Sequence, residues 1–174
     1  TYTCNVGYKV PGTNVTLHCW SPVPHGTETL KEAVGNSCNP VQIQLGLALG
    51  EDTYYDYLEM FGITADSKTG IDLPGEGSAI LSAKENIGPV ELATMSYGQG
   101  VAITPIQLVT AVCAIGNDGV LMQPRVVKEL TDSKGDTVKT FETKEIRKVI
   151  SKKTAEEMKE IMEYVVSEAV SYTH

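Results

Sequence analysis

The amino-acid sequence predicts an α+β domain, mostly helical, with two β-hairpins. Three observations predict it. Two complete helix-start signals occur, Thr29-Leu30-Lys31-Glu32 and Thr104-Pro105-Ile106-Gln107, in each of which an N-cap hydroxyl is followed three residues on by Glu or Gln. Ala155, Met158, Ile161, Met162, Val165 and Val166 recur at helical spacing, the mark of an amphipathic helix. Short runs rich in Val, Thr and Tyr flank the turn sequences Pro11-Gly12 and Asp132-Ser133-Lys134-Gly135-Asp136, as hairpins require.

Taken in order, residues 2–20 read as the first hairpin. A turn centred between Pro11 and Gly12 sets Cys4 opposite Cys19, with Gly7 as a place for a bulge. Ser21 to Gly26 is a loop, and Thr29 starts a short helix that ends near Gly35. Pro40 suits the first position of the next helix, where its missing N–H is not needed. Val41, Leu45, Leu47 and Leu49 make that helix apolar as far as Gly50. A further helix covers about 52–60. Residues 67–88 are irregular and rich in Gly, Pro and acidic groups; such a length without regular structure points to a functional wall or a partner surface. A short helix at 90–95 leads to Gly98-Gln99-Gly100. The Thr104 helix runs to Gly116 with Cys113 expected in the core, since a free thiol packs as a small hydrophobe. Residues 120–141 form the second hairpin and 151–168 the last helix. The whole reads as one partial domain over 1–174, with its helical lobe at 27–117.

Bulk properties narrow the function. The chain has 174 residues, 41% hydrophobic and 21% charged, enough to bury a core. A net charge of -8 and a pI near 4.9 argue against nucleic acid, because phosphate binding needs clustered Lys and Arg. No apolar run is long enough to span a bilayer. Thr1-Tyr2-Thr3-Cys4 lacks the basic and apolar regions of a signal peptide. With no initiator Met, the chain is expected to be a piece of a longer protein.

The chemistry is concentrated in Asn36-Ser37-Cys38-Asn39-Pro40. Asn39 has a structural explanation, since Asn is a favoured N-cap and precedes a proline that starts a helix. The surroundings add another. The run from His25 to Pro40, the segment Thr69-Gly70-Ile71-Asp72-Leu73-Pro74-Gly75-Glu76, and the stretch from Ser96 to Leu108 containing Gly98-Gln99-Gly100 together resemble class B penicillin-binding proteins, most closely the elongation and sporulation types of Gram-positive anaerobes. The resemblance implies the helical lobe of a penicillin-binding-protein transpeptidase fold, lacking most of its central sheet. It implies a D,D-transpeptidase that cross-links peptidoglycan stem peptides through an acyl-serine intermediate, is acylated by β-lactams, and works on the extracytoplasmic face of the bacterial membrane from an anchor outside this chain, alongside other cell-wall synthesis proteins.

Family roles carry over by position. Ser37 resembles the hydroxyl that relays a proton between the nucleophile's lysine and the reacting amines. Asn39 resembles the amide that binds substrate peptide and orients that lysine, and Gly98, Gln99 and Gly100 resemble a substrate-facing segment. Cys38 takes the variable middle position, pointing away from the cleft. No serine is followed three residues later by lysine, so the nucleophile motif is missing. Lys68-Thr69-Gly70 spells the third motif but lies in a loop closed by Pro74-Gly75, unsuited to a central strand. The chain alone is therefore expected to be inactive.

Cys4, Cys19 and His25 form a plausible zinc set, with Cys38 or His18 as fourth ligand. His18 alternates against Cys19 along its strand, which favours His25. Facing thiols also suit a Cys4–Cys19 disulfide, and plain packing is a third reading. Resemblance extends here too: some penicillin-binding proteins of anaerobes bind zinc near the second motif, and sporulation-type relatives use a thiol pair as a redox switch. A zinc-binding or redox-sensing interaction module is the alternative to the enzyme.

Overall fold

The computed structural model describes residues 1–168. In chain order the elements are β1 (Tyr2–Cys4), β2 (Gly7–Lys9), β3 (Thr16–His18), β4 (Gly26–Glu28), α1 (Leu30–Gly35), α2 (Asn39–Leu49), α3 (Glu51–Met60) and β5 (Ile80–Leu81). After a 3-10 turn at Lys84–Asn86 come α4 (Pro89–Met95), β6 (Val101–Ala102), α5 (Pro105–Gly116), β7 (Val120–Met122), β8 (Glu129–Thr131), β9 (Thr137–Thr140), β10 (Glu145–Lys148) and α6 (Lys152–Ser167). The strands pair two by two, and among the described residues no larger sheet forms. Two compact units result. One comprises Thr1–Tyr57, Leu81–Ala102 and the chain from Glu157; the other comprises Leu58–Ile80 and Ile103–Glu156.

The first unit corrects the expected hairpin. β2 pairs with β3 in the register Gly7↔His18, Tyr8↔Leu17, Lys9↔Thr16, and the Val10 N–H donates to the Val15 carbonyl at 3.0 Å. The turn is thus centred between Gly12 and Thr13, not between Pro11 and Gly12. Val6 stands at φ 68 and the Gly7 N–H reaches back to the Asn5 carbonyl at 2.8 Å. This γ-turn swings β1 out of the hairpin. β1 pairs instead with β4, which the sequence did not reveal, and Cys4 faces Gly26 rather than Cys19.

Behind these strands Val10, Ile43 and Ala93 form a fully buried cluster, flanked by Tyr8, Leu17 and Leu47. Burial of each of the larger side chains contributes about 1.5–3 kcal/mol. α2 packs on α4, and the approach is close enough to demand a glycine. A Cβ on Gly46 would sit 1.7 Å from Ser96 Oγ, which itself donates to the Leu92 carbonyl at 2.7 Å.

In the second unit the Thr104 capping box forms as its sequence predicts, with the Thr104 hydroxyl accepting from the Gln107 N–H. Gln107 does more than cap. It is 1% exposed, and its Nε2 donates to the Ser67 carbonyl and hydroxyl, both at 3.1 Å. Cys113 is exposed, against expectation: an apolar helix reads as buried all round, but Leu108 and Val109 share its open side. The expected second hairpin also divides. Pro124 interrupts the first strand, so β7 pairs with β10 while β8 and β9 form a solvated ribbon. Ala114, Leu121 and Val149 close the core.

Much of the irregular segment after Ser67 is pinned internally. The Glu76 carboxylate accepts from the Thr69 N–H and hydroxyl and from the Gly70 N–H at 3.0 Å. Asp72 accepts from the Val126 and Val127 N–H groups at 2.7 and 2.9 Å. Lys68-Thr69-Gly70 is therefore a bracketed loop. Burial acts to raise the Glu76 pKa, but the Thr69 and Gly70 hydrogen bonds and the charge of Lys68 outweigh it and hold the carboxyl below its usual range.

Two outcomes are expected. Gly46→Ala should lose about 1–3 kcal/mol in urea unfolding through overpacking, and Ser96→Gly should restore most of it. A carboxyl depressed in the fold stabilises above its unfolded pKa and loses that contribution as pH falls through the folded value. Thermal midpoints should thus drop more steeply on acidification below about pH 4 for the wild type than for Glu76→Gln.

Candidate functional site

α1 is short because both its ends are determined. Thr29 caps the start, with its hydroxyl accepting from the Glu32 N–H while the Glu32 carboxylate takes the Thr29 N–H at 2.8 Å. At the other end the Cys38 N–H donates to the Ala33 carbonyl at 2.9 Å and the Ser37 N–H to the Val34 carbonyl at 3.1 Å. This is the double bond pattern of a Schellman ending, whose C′ residue takes a left-handed conformation and is most often glycine. Here the residue is Ser37, at φ 49, and its side chain is exposed. Left-handed backbone at a non-glycine costs roughly 1–2 kcal/mol and concentrates at functional sites.

Every neighbour of Ser37 is tied down. Asn36 donates from Nδ2 to Glu28 Oε1 at 2.8 Å, and its carbonyl accepts from Trp20 Nε1 at 2.8 Å. Cys38 is wholly buried. It, rather than Asn39, is the N-cap of α2, and its side chain makes no capping bond. Asn39 lies inside the first turn, which leaves its Nδ2 to donate to the His18 carbonyl at 3.1 Å.

Beneath this turn lies a thiol and imidazole cluster. Ligand atoms of Cys4, Cys19, His25 and Cys38 all lie within 4.8 Å of one another, and Cys19 Sγ is 3.8 Å from His25 Nδ1. All four cysteines are free. Cys4 and His25 meet because β1 runs against β4. Cys19 joins them because its N–H donates to the Val6 carbonyl at 2.6 Å, at the γ-turn. The N-terminus of α2 supplies Cys38. The imidazole of His18 lies instead over Gly7. Burial acts to raise the Cys4 thiol pKa, but the N–H groups of His25 and Val6 and the thiols of Cys38 and Cys19 bring it below its ordinary value. Cys38 is pushed up, first by burial and then by the adjacent Glu28 carboxylate.

The donors fit a zinc ion. Bond lengths of 2.0–2.3 Å in a tetrahedron put neighbouring ligand atoms about 3.5–3.8 Å apart; Cys19 Sγ and His25 Nδ1 stand at 3.8 Å, and the whole set lies within 4.8 Å. Glu28 adds an independent sign. Its side chain is 3% exposed, its Oε2 is 3.9 Å from His25 Nδ1, and that oxygen is buried with no hydrogen-bond partner. A buried polar oxygen left without a partner is costly, and a cation among the thiols would balance it.

The Gly98-Gln99-Gly100 segment is a second helix ending of the same kind. The Gly98 N–H donates to the Met95 carbonyl and the Gln99 N–H to the Thr94 carbonyl, both at 3.0 Å. Gly98 stands at φ 86 and Gly100 at φ 73, and the segment is exposed. The described hydrogen bonds tie the Ser37 turn to Glu28, Trp20 and His18, not to this segment. Glu28, Asn36 and Trp20 carry no motif by which sequence reading finds them. Only their spacing around the Ser-x-Asn element hints at a role.

A Ser-x-Asn turn between two helices, with a Gly-Gln-Gly helix ending in the same unit, is the arrangement expected of a penicillin-interacting serine enzyme. The chain belongs to the family described as the penicillin binding protein transpeptidase domain, which matches residues 1–173. Among its relatives is Stage V sporulation protein D of Bacillus subtilis, 44% identical over 153 residues, covering 87% of this chain and 23% of the relative. Peptidoglycan D,D-transpeptidase PbpA of Mycolicibacterium smegmatis is 29% identical, over 88% of this chain and 31% of the relative. The crystal structure of penicillin-binding protein 3 of Mycobacterium tuberculosis complexed with aztreonam matches at a TM-score of 0.81 and 27% identity, covering 97% of this chain and 37% of that one. The chain thus spans about a quarter to a third of its curated relatives. None of these matches lends support to a stand-alone zinc or redox module.

Ser37→Gly should raise stability by about 1 kcal/mol in denaturant unfolding, by releasing left-handed strain. Ser37→Ala, which keeps the strain, should not.

Proposed function

We propose that this chain is the second-motif lobe of a peptidoglycan D,D-transpeptidase that works on the extracytoplasmic face of the cell membrane. The observation that carries the reading is the Ser37 turn: an exposed hydroxyl in left-handed backbone, with both flanking residues anchored. In the whole enzyme, Ser37 relays a proton between the nucleophile's amine partner and the amines that leave and enter. Such a relay is worth about 10²–10⁴-fold in rate. Asn39 holds the stem peptide and orients that partner, with Gly98, Gln99 and Gly100 on the substrate side. The nucleophilic serine and its lysine come from outside this chain, so the chain by itself forms no acyl-enzyme. β-Lactams, as mimics of the donor peptide, acylate the whole enzyme.

Cys4, Cys19, His25 and Cys38 hold a zinc ion in this reading. Zinc there would be structural, closing four ligands and leaving no open position for chemistry. The protein's own part is to fix Cys38, and through it Ser37. Zinc is favoured over a Cys4–Cys19 disulfide because all four donors converge, whereas a disulfide leaves Cys38 and His25 without a task.

Acylation of the intact enzyme by a fluorescent penicillin should slow by at least about 100-fold in Ser37→Ala, with folding unchanged. Labelling at the wild-type rate would remove Ser37 from the chemistry. A native mass spectrum should carry one zinc, lost on chelation. A mass lower by two hydrogens and restored by reductant would replace zinc with the disulfide.

A further inference from the structure

Among the described residues Glu28 is the buried carboxylate beside the cluster, and its two oxygens face different ways. Oε1 accepts from Asn36 Nδ2 at 2.8 Å. Oε2 has no hydrogen-bond partner and faces His25 Nδ1 at 3.9 Å. The residue ends β4, whose pairing with β1 sets Glu28 against Tyr2 and Cys4 against Gly26. β4 therefore carries Glu28 three residues beyond His25, at the end of the strand that begins next to it. Asn36 in turn is the C-cap of α1 and the residue before Ser37.

We propose that Glu28 is a positioning residue coupling cation occupancy of the Cys4, Cys19, His25 and Cys38 cluster to the placement of Ser37. Its route is the approach of Oε2 to His25 and the bond of Oε1 to Asn36. The inference rests on the zinc reading given above.

Oε2 faces the same His25 Nδ1 that Cys19 Sγ approaches, so the carboxylate lies on the cation side of the ring and acts on a bound cation through its charge. A charged acceptor also makes a stronger hydrogen bond than a neutral one. A cation in the cluster attracts Oε2 and holds the carboxylate still, which tightens its grip on Asn36 through Oε1. The turn is then held from both sides, by Cys38 as a direct ligand and by Asn36 through Glu28. With the cluster empty, only a weak thiol hydrogen bond from Cys38 meets the carboxylate on that side, and the Asn36 side of the turn loosens.

The reporters are the Ser37 and Cys38 amides, whose bonds to Val34 and Ala33 define the turn. Their hydrogen exchange is measured in the intact protein with and without one equivalent of zinc, and zinc content is checked by native mass spectrometry in the same samples. Glu28→Gln keeps an acceptor for Asn36 but removes the charge. Asn36→Ala cuts the link from the other end and leaves Glu28 facing the cluster. Zinc should slow exchange at both amides by about tenfold in the wild type, the size of an ordinary coupling between linked sites. Both variants should bind zinc and lose most of that slowing at the Ser37 amide, while Cys38, as a direct ligand, keeps its own. Full slowing at the Ser37 amide in zinc-bound Glu28→Gln would overturn the coupling and leave the zinc brace standing. A wild type that takes up no zinc would overturn the brace and the coupling together, and the mass spectrum separates these two results.

Discussion

The left-handed turn at Ser37 is the constraint on which the rest of the first unit depends. A Schellman ending needs one residue at positive φ, and glycine fills that place most easily. Serine there gives up some backbone stability in exchange for an exposed hydroxyl at a fixed position. The strain holds only because neighbours over-determine the turn. Asn36 is bonded on both its side chain and its carbonyl, Cys38 is sunk in the core, and Asn39 reaches the His18 carbonyl. For the proton relay proposed for Ser37, a mobile loop would not keep a hydroxyl in place, because such a relay tolerates little displacement.

The core beneath that turn is unusual in its makeup. Cys4, Cys19 and Cys38 pack with Ala33 and Val41, so small thiols take positions that Leu or Ile would fill in an ordinary core. Thiols bury well as small hydrophobes, yet three of them beside an imidazole and a buried carboxylate are poorly explained by packing alone. Opposite shifts at Cys4 and Cys38 reflect their settings. Cys4 is met by N–H groups that favour thiolate, whereas Cys38 is buried and meets a carboxylate, both of which disfavour it.

Legibility of the sequence followed the range of the interactions. Both capping boxes formed at the residues that spell them, because a cap is settled within four residues. The apolar 39–49 helix and the terminal helix were equally plain. The register of the first hairpin differs because its turn sits between Gly12 and Thr13, and β1 leaves it at the Val6 γ-turn, since nothing in the local sequence separates a β-branched residue in a strand from one in a tight reversal. β10 and β4 went unread for a related reason: each is three or four polar-rich residues long, and only its partner strand makes it a strand. Cys113 reads as core from sequence but is exposed, because an apolar run says nothing about which side of a helix is covered.

The sequence by itself determined the family, the helix boundaries and the identity of the motif residues, because these rest on local chemistry and ordered residue patterns. It also supplied the four donors, but not their convergence. Tertiary structure alone decided that Cys38 rather than His18 completes the cluster, that Asn36 and Glu28 join it to Ser37, and that the motif serine is a left-handed helix ending. These facts depend on pairing between strands far apart in the chain. No local preference records where a distant strand will deliver its side chains.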